Sequence, residues 1–118
     1  MEIRVTEHVD FVTLSLKGRL DITSSSTLKD DVLRHVQQGR RQLILNLGQV
    51  DFINSSGLGT LVSILKEVRL AKGRLVLSNL ASYVKEIFEI TQLSNIFEIF
   101  DSEAEAQEVF MTPARVTG

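Results

Sequence analysis

Two stretches near the start of the chain, Ile3-Arg-Val-Thr-Glu-His-Val9 and Phe11-Val-Thr-Leu-Ser-Leu16, alternate apolar and polar residues. A period of two is that of a strand with one buried face. The short break around Asp10 predicts an antiparallel hairpin between them. Gly18-Arg-Leu-Asp21 then leads into a hydroxyl-rich run, Thr23-Ser-Ser-Ser-Thr27, which offers several helix N-caps. Leu28, Val32, Leu33 and Val36 follow at helical spacing, and Gly39 is a suitable stop. Leu43-Ile-Leu-Asn-Leu47 is an apolar strand. Beyond it Leu58, Leu61, Val62, Leu65 and Val68 share one face of a helix of about three to four turns. Lys66, Glu67, Arg69 and Lys72 lie mostly on the opposite side, and Gly73 closes that helix.

Arg74-Leu-Val-Leu-Ser78 predicts a further buried strand. Val84, Ile87 and Phe88 mark a third helix, with Leu93 in the turn after it, and Ile96-Phe-Glu-Ile-Phe100 alternates again as a last strand. Ser102 and Glu105 have the spacing of a capping box, opening a short helix through about Phe110. The order β-β-α-β-α-β-α-β-α is that of an α/β domain: a mixed sheet of about five strands with an N-terminal antiparallel hairpin and about four helices. Residues 1–110 are expected to form this single domain, and 111–118 a frayed tail. Right-handed crossovers would set the segment after strand 43–47 at that strand's carboxyl end, where α/β sheets carry functional loops.

Composition narrows the chemistry. A chain of 118 residues holds one core. Without cysteine, it has neither disulfides nor thiol chemistry. No run of roughly 18 apolar residues predicts a membrane span, and the first residues lack an apolar signal core, so a cytoplasmic protein is the default. The net charge of −2 is unevenly spread. Residues 1–75 carry 11 Lys and Arg against 8 Asp and Glu; residues 76–118 carry 2 against 7. Neither part is a basic patch with interleaved aromatics, so direct nucleic-acid binding is not expected.

The segment Asp51-Phe-Ile-Asn-Ser-Ser-Gly-Leu-Gly-Thr-Leu61 stands where a strand hands over to a helix. Helix N-termini collect unpaired N–H groups and partial positive charge, which suits an anion. Enzyme motifs fail here. A P-loop needs a lysine directly after the second glycine of its loop, and none follows Gly57 or Gly59 before Lys66. A dinucleotide fingerprint wants glycine or alanine where Val62 stands. A nucleophile elbow wants glycine at Asn54 and Leu58. His8 and His35 have no carboxylate or histidine at metal spacing and read as surface or partly buried residues. No metal, cofactor or catalytic residue is therefore expected. The local reading that remains is a helix capped by Asn54 or Ser55, with glycines that let something approach its first turn.

Gly18-Arg-Leu-Asp21, Leu43-Ile-Leu-Asn-Leu47 and Phe52-Ile-Asn-Ser-Ser-Gly-Leu-Gly59 together resemble the STAS domain, the sulfate transporter and anti-sigma factor antagonist family, over about residues 3–110. The resemblance implies a free-standing bacterial anti-sigma factor antagonist in which Ser56, directly before Gly-Leu-Gly, is the phosphoacceptor. Asp21, Thr23, Asn54, Ser55, Ser56, Gly57, Leu58 and Gly59 would form the partner-binding surface. The implied partners are an anti-sigma factor that is also a serine kinase of the Bergerat-fold ATPase class, and a metal-dependent serine phosphatase. The antagonist would be a monomer that binds the kinase when unphosphorylated, frees a sigma factor, and is switched off by phosphate. An alternative is a STAS scaffold subunit of a transporter or sensory assembly that is never phosphorylated. A nucleotide-binding role is a third possibility. One departure is visible: the family usually has aspartate where this chain has Asn54, which can cap a helix but brings no charge.

Overall fold

The computed structural model describes residues 1–111. Five strands, β1 (Glu2–Glu7), β2 (Val12–Leu20), β3 (Gln42–Ile53), β4 (Arg74–Ser78) and β5 (Glu98–Phe100), form one sheet in sequential order. The expected hairpin is the antiparallel β1–β2 pair, and every later pairing is parallel. Helices α1 (Ile22–Gln37), α2 (Ser55–Leu70), α3 (Ser82–Ile90) and α4 (Glu103–Met111) complete the α/β domain, with a 3₁₀ turn over Leu93–Asn95. Met111, expected in the tail, belongs to α4; the rest of that tail, 112–118, lies outside the described residues.

Alternation along the strands assigns the two faces. Leu43, Leu45 and Leu47 of β3, with Leu75 and Leu77 of β4, point to one side, where Leu28, Val32, Leu61, Ile64, Val68, Val84 and Phe88 of the first three helices cover them. Ile44 and Val76 point to the other side, with Phe11, and α4 covers them through Ala106 and Phe110. All these side chains are buried, and at roughly 25 cal/mol per Å² of apolar surface their removal from water drives the fold.

Several boundaries differ from those the sequence suggested. β1 stops at Glu7, and His8 stacks its ring on Phe11 at 4.2 Å. β5 starts only at Glu98, because Leu93–Asn95 coil into the 3₁₀ turn. The cap of α1 is Asp21 rather than any hydroxyl of the 23–27 run: its carboxylate accepts from Thr23 N–H at 3.0 Å, and Ser24 Oγ accepts from Asp21 N–H at 3.1 Å. The capping box at α4 is shifted by one residue. Ser102 Oγ accepts from Glu105 N–H, but the Glu105 carboxylate accepts from Asp101 N–H. His35, expected to be a surface or partly buried residue, is buried at 7% exposure with Nδ1 2.8 Å from Asp31 O.

The largest difference concerns β3, which runs six residues past Leu47, and β2, which runs through Gly18 and Arg19 to Leu20. Their pairing shifts register twice, between Ser15 and Lys17 and between Gly18 and Arg19, each time because β3 carries one residue more. Such bulges bend and twist the strand pair. Leu20 pairs with Ile53 at its end, so the strands deliver α1 and α2 side by side.

Candidate functional site

β2 and β3 end level with each other, and each passes straight into a helix. Asp21 caps α1 and Asn54 caps α2, both from extended backbone. Asn54 Oδ1 accepts from Gly57 N–H at 3.1 Å, and Asn54 O accepts from Leu58 N–H at 2.9 Å. The cap is therefore Asn54; Ser55 and Ser56 occupy the first two helical positions. Asparagine supplies the acceptor an aspartate would supply, so the departure leaves this helix start intact. We expect Asn54→Ala to cost about 0.5–2 kcal/mol in urea denaturation, and Asn54→Asp to add about 0.3–1 kcal/mol through the helix dipole. An unchanged midpoint in the alanine variant would show that the bond adds nothing.

Hydroxyls at the two helix starts are used differently. At α1 they are consumed: Ser24 Oγ donates to Arg19 O at 2.8 Å, Ser25 Oγ to Asp21 O at 2.6 Å, and Thr23 Oγ1 to Asp21 Oδ1 at 2.6 Å. At α2, Ser55 and Ser56 are exposed, and among the described residues neither hydroxyl has a partner. Thr60 Oγ1 donates to Ser56 O, which secures the backbone and leaves the side chain free.

Gly57 and Gly59 differ just as sharply. Gly57 is buried, and a Cβ there would stand 2.2 Å from Leu20 O. The close approach expected at this turn is that of the chain itself, the last carbonyl of β2. Gly59 faces open space, with nothing within 4 Å of a Cβ, and Leu58 is half-buried against the core. Two glycines in one helical turn thus have different causes.

Asp21 lies in the loop beside this turn. Arg19 reaches its carboxylate at 3.5 Å while its guanidinium lies 3.8 Å over the Phe52 ring. The Thr23 hydroxyl is the main cause that holds the Asp21 carboxyl below its ordinary value; burial pushes the other way, and the Thr23 N–H and Arg19 add to the lowering. A carboxylate lowered on folding stabilises the fold above its unfolded value, and that contribution disappears as pH falls through the folded one. Wild type should therefore lose urea resistance faster on acidification below about pH 5 than Asp21→Asn, which keeps a neutral cap. Parallel acid profiles for the two proteins would contradict this.

The eight residues expected to form the partner-binding surface all lie on the two adjoining helix starts. Gly57 is buried against Leu20 and Leu58 is half-buried against the core, so Gly57 shapes this surface from beneath rather than presenting itself on it. Arg19 and Ile22 flank Asp21 in sequence, whereas Lys29 joins the site only in three dimensions: Ile22 is 74% exposed beside Ser56, and Lys29 Nζ donates to Ser63 Oγ at 2.7 Å across the α1–α2 groove. Among the described residues no group of three metal-ligating side chains gathers, and no helix is long and apolar enough to cross a membrane.

Comparison with known proteins bears on this arrangement. BtrV of Bordetella bronchiseptica is 33% identical over 97 residues, covering 82% of this chain and 84% of its own. The anti-sigma-B factor antagonist of Listeria monocytogenes is 33% identical over 104 residues, 86% of this chain and 87% of its own. Among solved structures, tm1081 of Thermotoga maritima superposes with a TM-score of 0.86 at 27% identity, covering 92% of this chain and 94% of that one. The anti-sigma factor antagonist SpoIIAA shares the fold in its unphosphorylated form (TM-score 0.74, 21% identity, 94% and 99% covered) and, as a Bacillus cell fate determinant, in its phosphorylated form (0.70, 23%, 92% and 98%). The family model of the STAS domain matches residues 1–106, and the chain belongs to the STAS domain family.

Proposed function

We propose that the chain is an anti-sigma factor antagonist whose partner binding is switched by phosphorylation of Ser56. The observation that carries this is the pair of exposed, unpartnered hydroxyls, Ser55 and Ser56, on the first turn of α2 beside the Asp21 loop. Of the two, the resemblance to the STAS loop selects Ser56, the serine directly before Gly-Leu-Gly. Names of relatives supply the class of partner: the Listeria protein is an anti-sigma-B factor antagonist. SpoIIAA, with the same fold, has been determined with and without phosphate, which supports a fold that carries the modification without rebuilding.

In this reading the unphosphorylated chain presents both helix starts to an anti-sigma factor and so frees a sigma factor. The partner is also the catalyst. As a serine kinase of the Bergerat-fold ATPase class it transfers the γ-phosphoryl group of ATP to Ser56 Oγ, which gives up its proton, and ADP leaves. A metal-dependent phosphatase hydrolyses the ester and restores the hydroxyl. The antagonist is a cytoplasmic monomer, acting as substrate and binding surface. Incubation with the cognate kinase and ATP, followed by mass mapping, tests the assignment. One phosphate on Ser56, lost in Ser56→Ala, is expected; phosphate on Ser55 alone, or none, would refute it.

A further inference from the structure

The first two helices pack side by side, yet a groove of about 320 Å³ stays open along the solvent side of their contact. Its cause is in the sequence. Ile22, Ser25 and Lys29 of α1 and Ser56, Gly59 and Ser63 of α2 recur at i, i+3 and i+7, one face of each helix. Ser25, Ser56, Gly59 and Ser63 are small where two helices would ordinarily interlock larger side chains. The groove starts at Ser56 and runs about two turns, roughly 10 Å, to Lys29.

Three features give it a chemical character. Gly59 leaves the floor bare. Ile22 offers an exposed apolar contact at the mouth. At the far end the half-buried Lys29 ammonium donates to Ser63 Oγ and, among the described residues, forms no ion pair; the neighbouring Asp31 is taken by Arg34. An ammonium with two donors left over and only a neutral hydroxyl as partner is an unfilled seat for a carboxylate.

We propose that this groove receives an acidic side chain of the anti-sigma factor, seated on Lys29, so that Lys29 selects the partner while Ser56 answers to it. The inference rests on the function proposed above. It adds a reason for release: a phosphate on Ser56 stands at the mouth of the groove and repels the acidic segment within it.

Lys29 is too far down the helix to take part in phosphoryl transfer, so it acts on binding alone. With the cognate kinase and ATP, Lys29→Glu should raise the KM for the antagonist at least tenfold and leave kcat within about twofold. Lys29→Arg should stay within about threefold of wild type in both. Gly59→Leu, which has room in the fold but fills the groove, should weaken the complex similarly, with thermal melting confirming that each variant is folded. If Lys29→Glu binds and is phosphorylated with the KM of wild type, the seat does not exist, although the switch at Ser56 stands. If the wild-type chain itself neither binds the kinase nor gains phosphate, both fall together.

Discussion

Phosphorylation of Ser56 should lower the affinity for the anti-sigma factor by about 10³-fold or more. The modification brings roughly −1.5 to −2 charges and three acceptor oxygens to a position that carried a neutral hydroxyl. Within the free domain the anion is tolerable, because Ser55 and Ser56 lie over the positive end of α2 and water reaches both. In the proposed complex the same group would face a surface fitted to a hydroxyl. An uncompensated charge in such a contact costs several kcal/mol, and each 1.4 kcal/mol is a factor of ten. The measurement is calorimetric titration of the kinase with unphosphorylated, enzymatically phosphorylated and Ser56→Ala protein. The alanine variant should bind as tightly as unphosphorylated wild type and be indifferent to ATP. Ser56→Glu, with one charge and the wrong geometry, should show a smaller loss. A phosphorylated protein that binds within threefold of the unmodified one would remove the switch.

How far the sequence led is clearest in the strands. Alternation at 12–16 and the apolar runs at 43–47 and 74–78 each led directly to a strand. The equally regular alternation of 3–9 did not give the buried face it suggested: β1 is an edge strand on which only Ile3 is partly covered, and Val5 and Val9 are exposed. The reading lost the last four residues of β2 and the last six of β3 because bulges break the period on which it depends. After Leu47 the buried residues are Val50 and Ile53, three apart, since β3 carries extra residues at its two register shifts. No count of period two can follow that. Yet this irregular pair is what carries Asp21 to the start of α2.

Caps were partly legible. Asn54 was one of two candidates, and only the hydrogen bond to Gly57 N–H separates it from Ser55. At α1 the hydroxyl run drew attention one turn too late, because Ser24 and Ser25 serve the cap from inside the helix while the aspartate before them is the cap itself. The groove was beyond sequence reasoning: Lys29 and Ser63 are 34 residues apart, and nothing local relates them.

Gly57→Ala should destabilise the domain by about 2 kcal/mol, on the order of 6–12 °C in Tm, whereas Gly59→Ala should stabilise it by about 0.5–1 kcal/mol. In each case alanine brings the same gain in helix propensity, so the contrast isolates contact. At Gly57 the new methyl would lie 2.2 Å from Leu20 O and 3.0 Å from both Leu20 C and Ile53 Cγ1. Two of those atoms are backbone at the end of a paired strand and cannot turn aside as a side chain would. Relief requires α2 to lift from the end of β2 by nearly an ångström, loosening Leu61 and Ile64 from the core. At Gly59 the methyl meets nothing. Thermal and urea unfolding of both variants decide the matter, and equal Tm values would mean that the close contact with Leu20 is not what keeps residue 57 a glycine. A functional consequence follows from the same displacement. Lifting the first turn of α2 moves Ser56 relative to Asp21, so the Gly57 variant that still folds should lose partner affinity as well. Loss of stability without loss of binding would instead mean that the two helix starts need not be held in register for recognition.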